Sequence, residues 1–393
     1  MSKSIFDNTE VAFKTKSNAE LRRAYFLFKL IGRQALVNIG TAFTLFALKI
    51  RLPIKGIVRA TVFNQFCAGE TEQEAMPVID VLYNEGGVYS VLDYSVEGQE
   101  NEESFDLTTK KINELTVLAT KNKAMPFSVF KPTGIGRFDL WAKVSAKETL
   151  TKEEEAEWQR IRDRYDSICA TAHKHDIILL IDAEHSWIQD AADELCEEMM
   201  EKYNKEKPIV YNTLQCYRWD RLDYLKAQHK RAREKGFKIG HKIVRGAYLE
   251  LENERAIEMS YPTPICASKQ ETDEMFDSVL LYILDNLDDI HLFCGTHNEN
   301  SSFLATEEMD KRGIARNDNR IWFGQLYGMS DNISFNLAEH GYNTAKYLPF
   351  GPIEDVMPYL IRRAEENTSV AGQSSRELSL ITKERKRRKN EKN

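Results

Sequence analysis

No Cys-x-x-Cys pair occurs among the six cysteines (Cys67, Cys169, Cys196, Cys216, Cys266 and Cys294), so a zinc ribbon, a thioredoxin-like dithiol and an obvious disulfide framework have no support. A reducing compartment suits this usage. The chain also lacks a Gly-x-Ser-x-Gly elbow, and no cysteine neighbours a histidine in sequence, which argues against nucleophilic catalysis. The glycine-rich dinucleotide turn is missing too: Thr133-Gly-Ile-Gly136 continues into Arg-Phe-Asp, without the third glycine. The most apolar stretch, Ala35–Ile50, is interrupted by Asn38, Gly40 and two threonines, and falls short of the roughly 20 residues of a membrane span. It reads as a buried or surface-lying helix. Excess positive charge is absent as well, since the net charge of −7 disfavours a general nucleic-acid binder. The N-terminus turns polar at once and carries acids, unlike a secretory signal or a mitochondrial presequence. A cytoplasmic, bacterial-type protein that acts on small molecules is the expectation.

What is present is a rhythm. From about residue 85, short runs rich in β-branched and aromatic residues alternate with helical patterns. Eight such runs are expected as strands: Val88–Tyr94, Met125–Lys131, Ile177–Asp182, Ile209–Gln215, Lys238–Arg245, Ile290–Gly295, Ile321–Leu326 and Thr344–Pro349. Eight βα units predict a closed (β/α)8 barrel over residues 81–372, preceded by a helical arm or cap over residues 1–80. A doubly wound open sheet is the competitor, but it usually brings the missing glycine fingerprint. The final stretch, 373–393, is a basic run that reads as a disordered, solvated tail, or more sharply as a segment that docks on an anionic membrane.

Barrel active sites are assembled at the C-terminal ends of strands. The residues near those ends here include Asp93, Lys131, Asp182, Gln215, Arg245, Thr296 with His297, Gln325 and Tyr347. Asp182, Glu184, His185 and His297 are metal-ligand types, so a metal-dependent barrel hydrolase or isomerase stands as an alternative. A non-catalytic barrel that binds a ligand or serves as a scaffold is a more distant one. In the fifth unit, Lys242 and Val244 share a strand face, Arg245 lies opposite unless the strand has ended, and Gly246 with Ala247 would let a planar ligand approach the backbone. After the eighth run, Arg362 and Arg363 offer two planar guanidinium groups suited to a carboxylate. Glu366 lies at helical spacing from both, so a plain intrahelical ion pair explains them equally well.

Seven motifs, taken in order, decide between these readings. They are Lys131-Pro-Thr, Asp182-Ala-Glu, Thr213-Leu-Gln-Cys-Tyr, Lys242-Ile-Val-Arg-Gly-Ala-Tyr, Thr296-His-Asn, Gly324-Gln-Leu-Tyr-Gly-Met, and Tyr347-x-Pro-Phe-Gly-Pro followed by Leu-Ile-Arg-Arg-Ala-Glu-Glu-Asn. Together they resemble the proline dehydrogenase (proline oxidase) family. The resemblance implies a distorted (β/α)8 barrel that holds FAD without a Rossmann fold, oxidation of L-proline to Δ1-pyrroline-5-carboxylate, and transfer of electrons to a membrane quinone. It implies Lys131, Arg362 and Arg363 on the substrate carboxylate, Glu366 steadying the arginines, and Tyr347 against the proline ring, with hydroxyproline oxidation as the runner-up. Ala183, Gln215, Lys242, Val244, Arg245, Gly246, Ala247, Thr296, His297 and Asn298 would line the flavin. Asp182, Lys242 and Arg245 would act nearest the chemistry, and no metal is implied. Lys242 stands where relatives fused to an aldehyde dehydrogenase carry arginine, so the chain resembles the mitochondrial-type branch. The fused second enzyme is absent, so a separate pyrroline-5-carboxylate dehydrogenase is expected, with the protein itself peripheral at the inner membrane.

Overall fold

All eight expected strands form, with boundaries within two residues of those read from the sequence. They are β1 (Tyr89–Tyr94), β2 (Phe127–Phe130), β3 (Ile178–Ile181), β4 (Val210–Gln215), β5 (Ile239–Val244), β6 (Ile290–Gly295), β7 (Ile321–Leu326) and β8 (Thr344–Phe350). The computed structural model describes residues 3–33, 37, 40–41, 54–95, 101–369 and 373–391, leaving aside the side chains of 3–4, 365–369 and 373–374. The strands follow the order β1-β8-β7-β6-β5-β4-β3-β2, and the pairings between them are parallel. This is the cyclic order of a (β/α)8 barrel with its ends at β1 and β2. A doubly wound sheet would reverse its order at a switch point, and no reversal occurs.

Among the described residues, thirteen helices of eight residues or more accompany the strands. They are α1 (Asn18–Ile31), α2 (Glu72–Asn84), α3 (Glu102–Ala119), α4 (Phe138–Ser145), α5 (Lys152–His175), α6 (Ser186–Tyr203), α7 (Arg221–Lys235), α8 (Leu249–Glu258), α9 (Lys269–Asp285), α10 (Glu299–Lys311), α11 (Asp331–Glu339), α12 (Met357–Ser369) and α13 (Gln373–Asn390). Local chemistry sets their ends. Ser17 with Glu20, and Thr151 with Glu154, form capping boxes that open α1 and α5. Left-handed Asp176 closes α5, and left-handed Gly236 closes α7.

The chain divides into two compact units, Gly98–Gly324 and Met1–Glu97 with Gln325–Asn393. In the first, every residue of β2 and β4 is buried, as expected of parallel strands covered on both faces. Phe127 packs edge-on against Phe293 and Trp322, with ring centroids 5.3 and 4.8 Å away. Gly324 makes room for this cluster, because a Cβ there would stand 2.1 Å from the Phe293 ring.

In the second unit, Phe13, Leu21, Phe28 and Phe66 share one core with Tyr359 and Leu360 of α12 and Leu380 and Ile381 of α13. The N-terminal residues therefore pack directly on the helix that carries the arginine pair. The apolar stretch 35–50 lies outside the described residues, apart from 37, 40 and 41.

The basic C-terminal run is not a disordered tail. It forms α13, because Glu377, Leu380, Ile381 and Glu384 fall on one face and are buried. Glu384 accepts hydrogen bonds from Arg387 and Arg388. Arg388 in turn donates to the carbonyls of Phe13 and Lys16, each at 2.8 Å. These are charge-assisted bonds that anchor the C-terminus on the N-terminal segment. Replacing Arg388→Ala should therefore lower stability by about 2 kcal/mol, read as a shifted urea-unfolding midpoint; an unchanged midpoint would show that the docking contributes nothing.

Candidate active site

In the unit Gly98–Gly324, the sequence-nominated residues gather at the C-terminal ends of β2 to β6. β2 ends at Phe130, which places Lys131 immediately after it, and β3 ends at Ile181, which places Asp182 first in the following loop. Asp182 stands between two ammonium groups. Its Oδ1 is ion-paired with Nζ of buried Lys242 on β5, and its Oδ2 lies 3.7 Å from Nζ of Lys131. One carboxylate thus offsets two cations carried by separate strands.

The loop that holds Asp182 is pinned at each following residue but one. The Glu184 carboxylate accepts from the backbone N–H (3.0 Å) and hydroxyl (2.7 Å) of Thr133, in the turn after β2. The Glu184 carbonyl accepts from Nε2 of Gln215, the last residue of β4, at 2.9 Å. Ser186 donates its N–H (2.6 Å) and its hydroxyl to Glu252, a fully buried carboxylate in the first turn of α8. His185 stacks on Tyr248 and Trp187, with centroids 4.3 and 4.5 Å apart. Between these fixed points lies Ala183.

β5 ends at Val244, so Arg245 has left the strand and its guanidinium turns away from Lys242. Nε donates to Asp273 at 2.7 Å, Nη1 to the Thr296 hydroxyl at 2.8 Å and Nη2 to the Ser301 hydroxyl at 3.0 Å. The guanidinium carbon lies 4.5 Å from the Phe276 ring centroid. Burial alone would raise the Asp273 carboxyl, but hydrogen bonds from Lys269 and Arg245 hold it below the ordinary range. Thr296 also accepts from the Asn298 N–H at 3.1 Å, and Asn298 caps α10 by accepting from Asn300 and Ser301. His297, half-buried, lies between them. Gly246 has φ +131°, and a Cβ there would stand 2.6 Å from the Tyr217 ring. The glycine is thus required by a neighbouring side chain, quite apart from any ligand.

Three of the four candidate metal ligands have separate partners. Asp182 and Glu184 do not share a strand face, because β3 stops before both. Asp182 faces two cations, Glu184 is held by Thr133, and the His185 ring lies within an aromatic stack.

In the other unit, Tyr347 is a buried residue in the middle of β8, which runs on to Phe350 rather than ending near it. Arg362 and Arg363 both lie on α12, half-buried and buried respectively, and the Arg363 guanidinium sits 5.3 Å from the Tyr359 ring centroid. Glu366 lies on the same helix, but its side chain is outside the described residues.

A family model described as proline dehydrogenase matches residues 76–376. The chain belongs to the proline dehydrogenase family. It is 32% identical over 428 residues to the mitochondrial proline dehydrogenase 1 of Dictyostelium discoideum, covering 97% of this chain and 74% of that one. It is 35% identical over 334 residues to the carbapenem antibiotics biosynthesis protein CarD of Pectobacterium carotovorum, covering 85% and 86%. Among solved structures, proline utilization A from Bdellovibrio bacteriovorus superposes with a TM-score of 0.70 at 20% identity, over 92% of this chain. That likeness concerns the fold, and the chain spans 38% of that larger protein. The relatives place the chain with the mitochondrial-type proline dehydrogenases, an oxidoreductase family.

Sequence reasoning assigned no role to Glu252, Thr133 or Ser186. Glu252 sits among Glu250, Glu254 and Glu258 on a charged helix, and only its burial distinguishes it. Replacing Glu252→Ala would strand the Ser186 donors inside the protein and should cost about 2 kcal/mol in urea unfolding, with Glu252→Gln recovering part of the loss. Wild-type stability in the alanine variant would contradict this role.

Proposed function

We propose that the chain oxidises L-proline to Δ1-pyrroline-5-carboxylate, with FAD as the resident electron acceptor and a membrane quinone beyond it. The observation that carries this reading is the family match, which spans every strand-end residue named above and the arginine pair. The donor chemistry suits a large anionic cofactor. Lys242, Arg245, Gln215 and Thr296 cluster at neighbouring strand ends, and Arg245 is oriented there by Asp273, Thr296 and Ser301. Ala183, Gly246 and Ala247 add little bulk beside them, and Val244, His297 and Asn298 complete the proposed lining.

When bound, FAD supplies a two-electron acceptor for the hydride that leaves the ring carbon next to nitrogen. The protein's own part is binding and electrostatics. Lys131, Arg362 and Arg363 hold the proline carboxylate, Glu366 steadies the arginines, and Tyr347 packs on the ring. Loss of a proton from the ring nitrogen together with the hydride converts the C–N bond to C=N. Lys242 and Arg245 supply positive charge beside the cofactor, which favours electron uptake, and Asp182 holds Lys242 in place. The protein is proposed to act at the inner face of a bacterial membrane, with a separate pyrroline-5-carboxylate dehydrogenase taking the product. Among the described residues, no helix is long and apolar enough to cross a membrane.

Purified protein should be yellow and should bleach anaerobically on addition of L-proline. A colourless protein, or one bleached by hydroxyproline and indifferent to proline, would contradict the proposal. Arg363→Met should raise the KM for proline about tenfold or more with flavin retained, because a charge-assisted contact to the carboxylate is lost. An unchanged KM would assign the pair to structure alone.

A further inference from the structure

Every charged side chain between Leu21 and Gly69 is a lysine or arginine, eight in all, in a chain whose net charge is −7. Helix α1 opens this stretch and shows what it presents. Its inward face, Leu21, Ala24, Leu27, Phe28 and Ile31, is buried in the core of its unit. Arg22, Phe26, Lys29 and Leu30 follow one another at helical spacing on the outward face, with Phe26 61% and Leu30 55% exposed. Glu20, the one acid of the helix, is committed to the capping box with Ser17.

Helix α13 adds to this face. The Arg385 guanidinium lies 4.5 Å from the Tyr25 ring centroid, and Lys29 Nζ lies 5.9 Å from the same ring. Tyr25 in turn meets Phe26 edge-on at 5.6 Å. Lys386 and Lys389, one and four residues beyond Arg385, are exposed. Cations of both helices thus meet at Tyr25, next to the exposed Phe26.

We propose that this surface, Arg22, Phe26, Lys29 and Leu30 of α1 with Arg385 and Lys386 of α13, rests on an anionic phospholipid layer. Cations alone would suit any polyanion, but Phe26 and Leu30 project apolar surface that only a lipid interface or an apolar partner rewards. The absence of acids over so long a stretch favours the lipid, because headgroups are anionic throughout while a protein partner presents both signs. This inference rests on the proposed transfer of electrons to a membrane quinone. It replaces a flexible basic tail with a folded, oriented face.

The test uses the full-length protein with vesicles of phosphatidylcholine alone or mixed with phosphatidylglycerol. The wild type should co-sediment with the anionic vesicles and not with the zwitterionic ones. Arg22→Glu with Lys29→Glu, and separately Phe26→Ser with Leu30→Ser, should each weaken that binding about tenfold or more. All four positions are on the outward face, and circular dichroism would verify that the variants stay folded. Equal binding to both vesicle types, no binding by the wild type, or wild-type binding by both variants would overturn the proposal. Proline oxidation with a water-soluble dye acceptor, in the same samples without vesicles, reports the catalytic reading separately.

Discussion

One carboxylate holds two cations in place at the strand ends. Lys131 follows β2, Lys242 lies on β5, and Asp182 follows β3 between them. Two ammonium groups of low exposure this close would repel each other without it, and removing one partner from such a buried group typically costs about 3–5 kcal/mol. The contacts around Asp182 serve to keep it there. Thr133 and Gln215 fix Glu184 from the neighbouring loops, and Glu252 fixes Ser186 from α8. Positive charge is thereby held at the strand ends by fixed partners, as the proposed flavin and proline carboxylate require.

The arginine pair is supported by different means. Arg362 and Arg363 ride on α12, whose Tyr359 and Leu360 belong to a core shared with the N-terminal helices and α13. The segment that reads as an arm and the run that reads as a tail therefore both help to set the orientation of that helix. The Arg363 guanidinium also lies near the Tyr359 ring, which ties the pair to that same core.

Much of this was legible in the chain. Eight strands were visible because buried parallel strands concentrate β-branched and aromatic residues between turn signals, and Ile290–Gly295 and Ile321–Leu326 agree to the residue. The positions of Lys131, Asp182 and Arg245 at strand ends followed from the same pattern. What composition hid was context. The basic run 373–393 looked solvated by charge, although Leu380 and Ile381, one turn from Glu377 and Glu384, mark a helix with a buried face. Asp182, Glu184 and His185 are all metal-ligand types by sequence, but their separate partners are set by loops and helices that residue type alone does not reveal. Glu252 was invisible because a buried acid and its exposed neighbours look alike in one sequence.

The central claim is that Lys242, fixed by Asp182, places positive charge beside a bound flavin. The most direct measurement is the midpoint potential of the flavin in the wild type and in Lys242→Ala, taken by spectroelectrochemical titration at one pH. Loss of a nearby cation should make the potential more negative, because the electron-rich form loses more stabilisation than the oxidised one. An unchanged potential, with flavin still bound in the variant, would contradict the account.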